Sequence, residues 1–181
     1  MTPLASDGRI AIRRFLPGDL GAFYAAVDES RAALAPWMPW MHPDYTIADT
    51  ADWLAARDGE WDAGIDFSVL VVDAANGAVL GASGLNQVNH VHRYANLGYW
   101  VRTSAAGCGV ASAAARLVAR WAFASAEFGR AEIVAMRANR ASCRAAEKSG
   151  ARFEGVARNR LLLRGEWHDA AVYAFVPGDF A

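Results

Sequence analysis

Between Gly8 and Leu16 the apolar Ile10, Ile12 and Phe15 alternate with Arg9, Arg13 and Arg14, the two-residue period of a first strand. Pro17-Gly18-Asp19 then starts a helix that runs to about Glu29 and places Leu20, Phe23, Tyr24 and Val27 on one face. Leu34 to Pro43 cannot be one regular helix, because Pro36, Pro39 and Pro43 remove donors and restrict the residues before them. Thr46 with Asp49 reads as a capping pair for a helix over about 47–63, whose apolar face is Trp53, Leu54 and Trp61. Phe67 to Val72 is a strand, and Asn76-Gly77 signals a hairpin into a second strand, Val79 to Val88. A further turn near His90 to Arg93 leads into Ala95 to Arg102. An alanine-rich helix from Gly109 to Phe128 turns Val110, Ala114, Leu117, Val118 and Trp121 inward, with Arg116 and Arg120 on another face. A strand over Glu132 to Ala138, a helix over Arg140 to Ser149 and an antiparallel pair, Ala151 to Leu163 with Trp167 to Phe175, complete the chain. No repeat or linker interrupts the order, so periodicity alone predicts one mixed α/β domain spanning residues 1–181.

The segment between the strand ending at Val101 and the alanine-rich helix is Thr103-Ser104-Ala105-Ala106-Gly107-Cys108-Gly109-Val110-Ala111-Ser112. Glycines at 107 and 109 let the backbone bend sharply and approach a ligand, while the first turn of the following helix leaves N–H groups without intrahelical acceptors. Those donors and the positive end of the helix dipole form an anion site that needs no lysine. A ligand-free connection would have the same short glycine pattern. A dinucleotide fold expects the glycines at its first βα turn and an acidic residue at the end of the next strand, whereas this loop lies past mid-chain and Glu132 starts the next strand. A phosphate loop of the Gly-Lys-Ser/Thr type is excluded, since no such triplet follows.

Composition narrows the class. Of 181 residues, 54% are hydrophobic and 20% charged, with no apolar run of spanning length, as in a soluble globular protein. The N-terminus lacks the basic start and apolar core of a signal peptide, which points to the cytoplasm. Two cysteines, Cys108 and Cys143, are too few for a disulfide framework and are expected to be reduced. The net charge of −1 is divided, with residues 1–100 at −6 and residues 101–181 at +5. Both sets fit solvated faces, or a basic half receiving a polyanionic cofactor and an acidic half receiving a cationic amine. The arginines form no stripe interleaved with aromatics, so nucleic acid is not an expected partner.

Several linked motifs carry a resemblance. Gly98-Tyr99-Trp100-Val101, Gly107-x-Gly109-x-Ala111, Asn139-x-x-Ser142-x-Arg144-x-x-Glu147-Lys148-x-Gly150 and Glu154-Gly155, in this order and spacing, resemble the GNAT acyltransferases. Together with Leu34-x-x-Trp37-Met38-Pro39-Trp40 they are similar to the RimJ/RimL branch of N-terminal and small-amine acetyltransferases. The resemblance implies an α+β fold with a mixed, mostly antiparallel twisted sheet of about seven strands flanked by helices. It implies acetyl-CoA as cofactor, and transfer of acetyl to an amine, a protein N-terminus or a small molecule, by direct attack in a ternary complex. Cys108 and Cys143 are then dispensable as nucleophiles. The backbone of Tyr99, Trp100 and Val101 would pair with the pantetheine arm, one of these N–H groups polarising the thioester carbonyl. The amides of Gly107, Cys108, Gly109, Val110, Ala111 and Ser112 would hold the pyrophosphate. Asn139 would bond the cofactor, Ser142 protonate the departing thiolate and Arg144 reach the phosphates, while Trp37, Trp40, Asn86 and His92 would wall the substrate groove. Without the resemblance, Asn139 is a helix cap, Ser142 and Arg144 are surface positions, and Trp53, Trp61 and Trp121 are core.

The sequence departs from the family pattern in two places. Ala106 and Cys108 stand where a Gln or a basic residue is usual, which implies a weaker phosphate grip. Asn96 and Leu161 stand where relatives carry the carboxylate that accepts the amine's proton. Asn96 would then hold a relaying water, with His92, His168 or Glu166 as its endpoint, or the amine would arrive neutral. His90 and His92, two apart, have no third ligand at helpful spacing, so no metal is expected. An acyl-CoA-binding sensor without transfer activity is the alternative function these departures allow. As to assembly, the expectation is a monomer or homodimer, with no membrane contact.

Overall fold

Asp7 closes the first turn of the chain, its Oδ1 accepting from the N–H groups of Arg9 (2.9 Å) and Ile10 (2.8 Å). That turn folds Ala5–Ser6 (β1) back on Ile10–Arg13 (β2). A computed structural model describes residues 3–125 and 128–180. The remaining strands are Phe67–Asp73 (β3), Val79–Asn89 (β4), Tyr94–Val101 (β5), Arg130–Met136 (β6), Arg152–Leu163 (β7) and Glu166–Phe175 (β8). The longer helices are Leu20–Glu29 (α1), Ile47–Asp62 (α3), Val110–Ser125 (α4) and Arg140–Ser149 (α5), with a single turn at Arg31–Leu34 (α2). The predicted end of α4 crosses residues 126 and 127, which lie outside the described residues.

One sheet holds all the described strands in the order β1-β2-β3-β4-β5-β6-β8-β7. The expected α+β architecture is present, with eight strands where about seven were expected. The additional one, β1, is two residues long and too short to show a period. β6 begins two residues before its predicted start, because Arg130 and Ala131 pair with Tyr94 and Ala95. All neighbouring pairs are antiparallel except β5 and β6, which run parallel.

Burial on both faces of the sheet follows from the uninterrupted apolar run in β3. Val69 and Val71 enter one core, with α4 and α5, while Leu70 and Val72 enter the other, with α1. β4 lies so close to β5 that a Cβ on Gly81 would fall 2.2 Å from the Trp100 carbonyl oxygen, a position only glycine can fill. α1 is fixed at both ends. At its start, Asp19 accepts two bonds of 2.6 Å from Arg13 of β2 and one of 2.7 Å from the Leu16 N–H. At its end, Glu29 accepts from Arg102 and from the Ser104 N–H (2.7 Å), while Ser30 Oγ accepts from the Thr103 N–H (3.0 Å). The Arg102 and Ser104 bonds pull the Glu29 carboxyl down to about 2, so it stays ionised and α1 stays joined to the segment that follows β5.

The Arg13–Asp19 pair is mostly buried, with side chains 17% and 11% exposed. Burial raises the Asp19 carboxyl, but Arg13 and the Leu16 N–H outweigh it and hold the group below its ordinary 3.8. Asp19→Ala, which leaves Arg13 buried without a counter-charge, is expected to lower stability by about 3 kcal/mol at pH 7 in urea unfolding. Because the folded value is the lower one, the wild type's advantage is full above pH 3.8 and shrinks as the pH falls through the folded value.

Candidate active site

β5 and β6 pair only from Tyr94, Ala95 and Asn96 to Arg130, Ala131 and Glu132. Beyond that point β5 continues to Val101 and β6 to Met136 without pairing, so the sheet opens. A cavity of about 750 Å³ occupies the opening and is lined by Leu97, Gly98, Tyr99 and Trp100 on one side and Ile133 to Met136 on the other. Consecutive strand residues point to opposite faces. Tyr99 therefore packs toward α5, while the Trp100 ring lies 5.6 Å from Phe23 and 6.5 Å from Trp40 between centroids. Both line the cavity, which thus passes through the sheet.

On the α5 side Asn139 caps the helix, its Oδ1 accepting from the Ser142 N–H at 3.1 Å, and the left-handed Gly150 ends the helix after its ten residues. The cap sets Ser142 against β5. Ser142 Oγ donates to the Tyr99 hydroxyl at 3.3 Å, and that hydroxyl donates to the Ser142 carbonyl at 2.8 Å. Burial pushes the Tyr99 phenol up to about 12, more than the Ser142 bond lowers it. The pair thus holds two protons at the cavity wall at every physiological pH.

On the α1 and α3 side the wall is aromatic and carries the ionisable groups. Trp37, Trp40, Tyr45, Trp53 and Phe23 line it, together with His42, Asp49 and Asp66. His42 Nε2 lies 3.6 Å from Asp49 Oδ1, and Asp66 is paired with Arg57 at 3.1 Å. The side-chain hydroxyl and the N–H of Thr46 hold the Asp49 carboxyl below its usual range. Asn96 Nδ2 donates to Asn86 Oδ1 at 2.8 Å across β4 and β5, and Leu161 of β7 faces the same space.

Residues 107–109 form an exposed loop that runs into the first turn of α4, where Val110 is buried, and both glycines lie in the left-handed region, Gly107 at φ 77° and Gly109 at φ 76°. Ala113 is the first residue of this stretch whose N–H is bonded, to the Gly109 carbonyl at 3.1 Å. The N–H groups of residues 107–112 have no acceptor among the described residues. Successive free amides at the positive end of a helix form an anion cradle.

The structure thus brings Trp37, Trp40, Asn86, Asn96, Tyr99, Trp100, Asn139 and Ser142 around one cavity. Val101, residues 107–112 and Arg144 lie outside its lining, Arg144 on the exposed face of α5. His92 departs from its expected place in the groove. It is exposed in the β4–β5 turn, where its N–H bonds Asn89 Oδ1 at 2.8 Å. His168 lies in a separate surface pocket with Arg137, Arg140 and Asp169, away from Asn96. Trp53 is a cavity wall as well as core, stacked 5.5 Å from Phe23. His42, Asp49 and Asp66 were missed: Asp49 reads in sequence as a helix cap, and nothing local joins it to His42.

A family model described as an acetyltransferase (GNAT) domain matches residues 9–152. A protein of Bacillus subtilis (strain 168) named "Putative ribosomal N-acetyltransferase YdaF" is 28% identical over 172 residues, covering 92% of this chain and 91% of its own. The microcin C7 self-immunity acetyltransferase MccE, in complex with acetyl-CoA and AMP, has the same fold, with a TM-score of 0.87 at 19% identity over 97% of each chain. So has Mycobacterium smegmatis RimJ, in complex with CoA-disulfide, with a TM-score of 0.84 at 22% identity over 99% of this chain and 91% of its own.

Replacing the cap that positions Ser142, in Asn139→Ala, is expected to cost about 1 kcal/mol in chemical unfolding. Asn139→Asp, which keeps an accepting oxygen, is expected to retain most of that stability.

Proposed function

Since the chain belongs to the GNAT acetyltransferase family, with acetyl-CoA as its acetyl donor, we propose that it acetylates a neutral amine delivered through the aromatic face of the cavity. The observation that carries this reading is a through-sheet opening with a free strand edge and two hydroxyl protons on one side, ionisable and aromatic groups on the other. The donor set fits the cofactor: free amides at 107–112 suit a pyrophosphate, and the open β5 edge suits a pantetheine arm. Bound there, the cofactor supplies an activated acetyl group as its thioester.

The chain's own residues then have three tasks. The open β5 edge would orient the acetyl carbonyl and would offer it an N–H. The amine nitrogen would bond to the carbonyl carbon as the C–S bond breaks; Ser142 Oγ, backed by the Tyr99 hydroxyl, would deliver its proton to the sulfur and regain the one the acylated nitrogen sheds. A charged amine would have one proton more to lose before it could attack. Asn96 and Leu161 offer no base for that proton, so the amine must enter uncharged. A protein α-amine, with a pKa near 8, meets that condition far better than a lysine side chain near 10.4.

The name of the Bacillus relative, with its ribosomal substrate, supports a protein N-terminus as acceptor, and a small-molecule amine of similar basicity fits the same wall. Among the described residues no helix is long and apolar enough to cross a membrane, and we place the enzyme in the cytoplasm with such substrates.

Thiol release from acetyl-CoA over a panel of N-terminal peptides and small amines tests the proposal. Ser142→Ala is expected to lower kcat by about 10²-fold. In the wild type, kcat/KM is expected to rise with pH through the pKa of whichever acceptor is used, since the phenol at about 12 stays protonated throughout. A fixed inflection shared by every acceptor would instead assign the proton to a group of the protein. Acetyl-CoA binding with no thiol release from any amine would mean a sensor.

A further inference from the structure

The loop at residues 103–112 contains no lysine or arginine, yet a guanidinium lies on it. Arg9, at the β1–β2 turn and 99 residues away in sequence, donates from one terminal nitrogen to the Cys108 carbonyl at 2.6 Å. Its other terminal nitrogen is 3.6 Å from where a Cβ on Gly109 would sit. The backbone of Arg9 is fixed on both sides, its N–H by Asp7 Oδ1 and its carbonyl by the Ala74 N–H at 3.0 Å. The side chain is exposed, and no carboxylate pairs with it among the described residues. A cation at the positive end of a sixteen-residue helix is electrostatically disfavoured. One carbonyl bond uses a single donor of five, and it is made within the stretch 107–112, whose amides have no acceptor among the described residues. An anion between them would satisfy both sets.

We propose that Arg9 is a phosphate-binding residue of the acetyl-CoA site, supplying from the N-terminal hairpin the cation that the glycine loop does not carry. The proposal rests on acetyl-CoA being the donor. Guanidinium and phosphate match in a planar two-bond geometry that lysine cannot reproduce, so Arg9 would reinforce the main-chain grip from outside the loop.

The test is CoA binding by calorimetry at low and high salt, with turnover of S-acetyl-pantetheine, which has no phosphate, as the second readout. Arg9→Ala is expected to raise the Kd for CoA by about tenfold at low salt and less at high salt. Its kcat/KM for S-acetyl-pantetheine should match the wild type, and Arg9→Lys should lie between the two in CoA affinity. Unchanged CoA affinity in Arg9→Ala would overturn the proposal. An equal loss with S-acetyl-pantetheine would also overturn it, reducing Arg9 to a brace for the loop. Failure of the wild type to bind CoA would instead remove the acetyl-CoA reading, and the proposal with it.

Discussion

The pairing of β5 with β6 stops after Asn96 and Glu132, and the rest of the structure is arranged about that interruption. A break inside a sheet exposes backbone donors and acceptors that must find water, side chains or a ligand. Here neighbours keep the break open on both faces. α5 leans across it, with Ser142 bonded to Tyr99 of β5, and the second core places the Trp100, Phe23 and Trp40 rings at the other mouth. β4 supports β5 from behind through the close approach at Gly81. The opening is thus held by packing that belongs to β5 itself.

The same strand links two chemistries. Tyr99 and Trp100 are adjacent in sequence and on opposite faces, one beside a hydroxyl pair and the other in an aromatic wall. A reaction joining two substrates that enter from opposite sides needs such a partition. Glu29 and Ser30 tie α1, which helps form the aromatic wall, to the backbone at Thr103 and Ser104 just before the amide cradle. The aromatic wall is therefore joined through α1 to the backbone that leads into the glycine loop.

Local signals made much of this legible in the sequence. α5 has the predicted limits because Asn139 and Gly150 bracket it, and the Asn76-Gly77 turn fixes the β3–β4 hairpin. The glycine loop is legible as an anion cradle because αL glycines and a helix start are both local properties. What could not be read depends on distance in sequence. His42 and Asp49 meet only when the proline-broken segment folds over α3, and Trp53 becomes a cavity wall only when Phe23 stacks on it. Arg9 sits in an unremarkable basic alternation, and its place on the loop follows from the β1–β2 turn and the packing of β2 beneath α4. His92, expected at the groove wall from the resemblance, is instead exposed in the β4–β5 turn, where its N–H bonds Asn89 Oδ1.

We propose that the free amides at residues 107–112 and the open edge of β5 hold the acetyl donor. Amide hydrogen exchange with and without acetyl-CoA, followed by mass spectrometry on overlapping peptides, measures this directly. Slowed exchange is expected at 107–112 and along 97–101 on addition of acetyl-CoA, with the β3–β4 hairpin unchanged. Binding without added protection at 107–112 would contradict it.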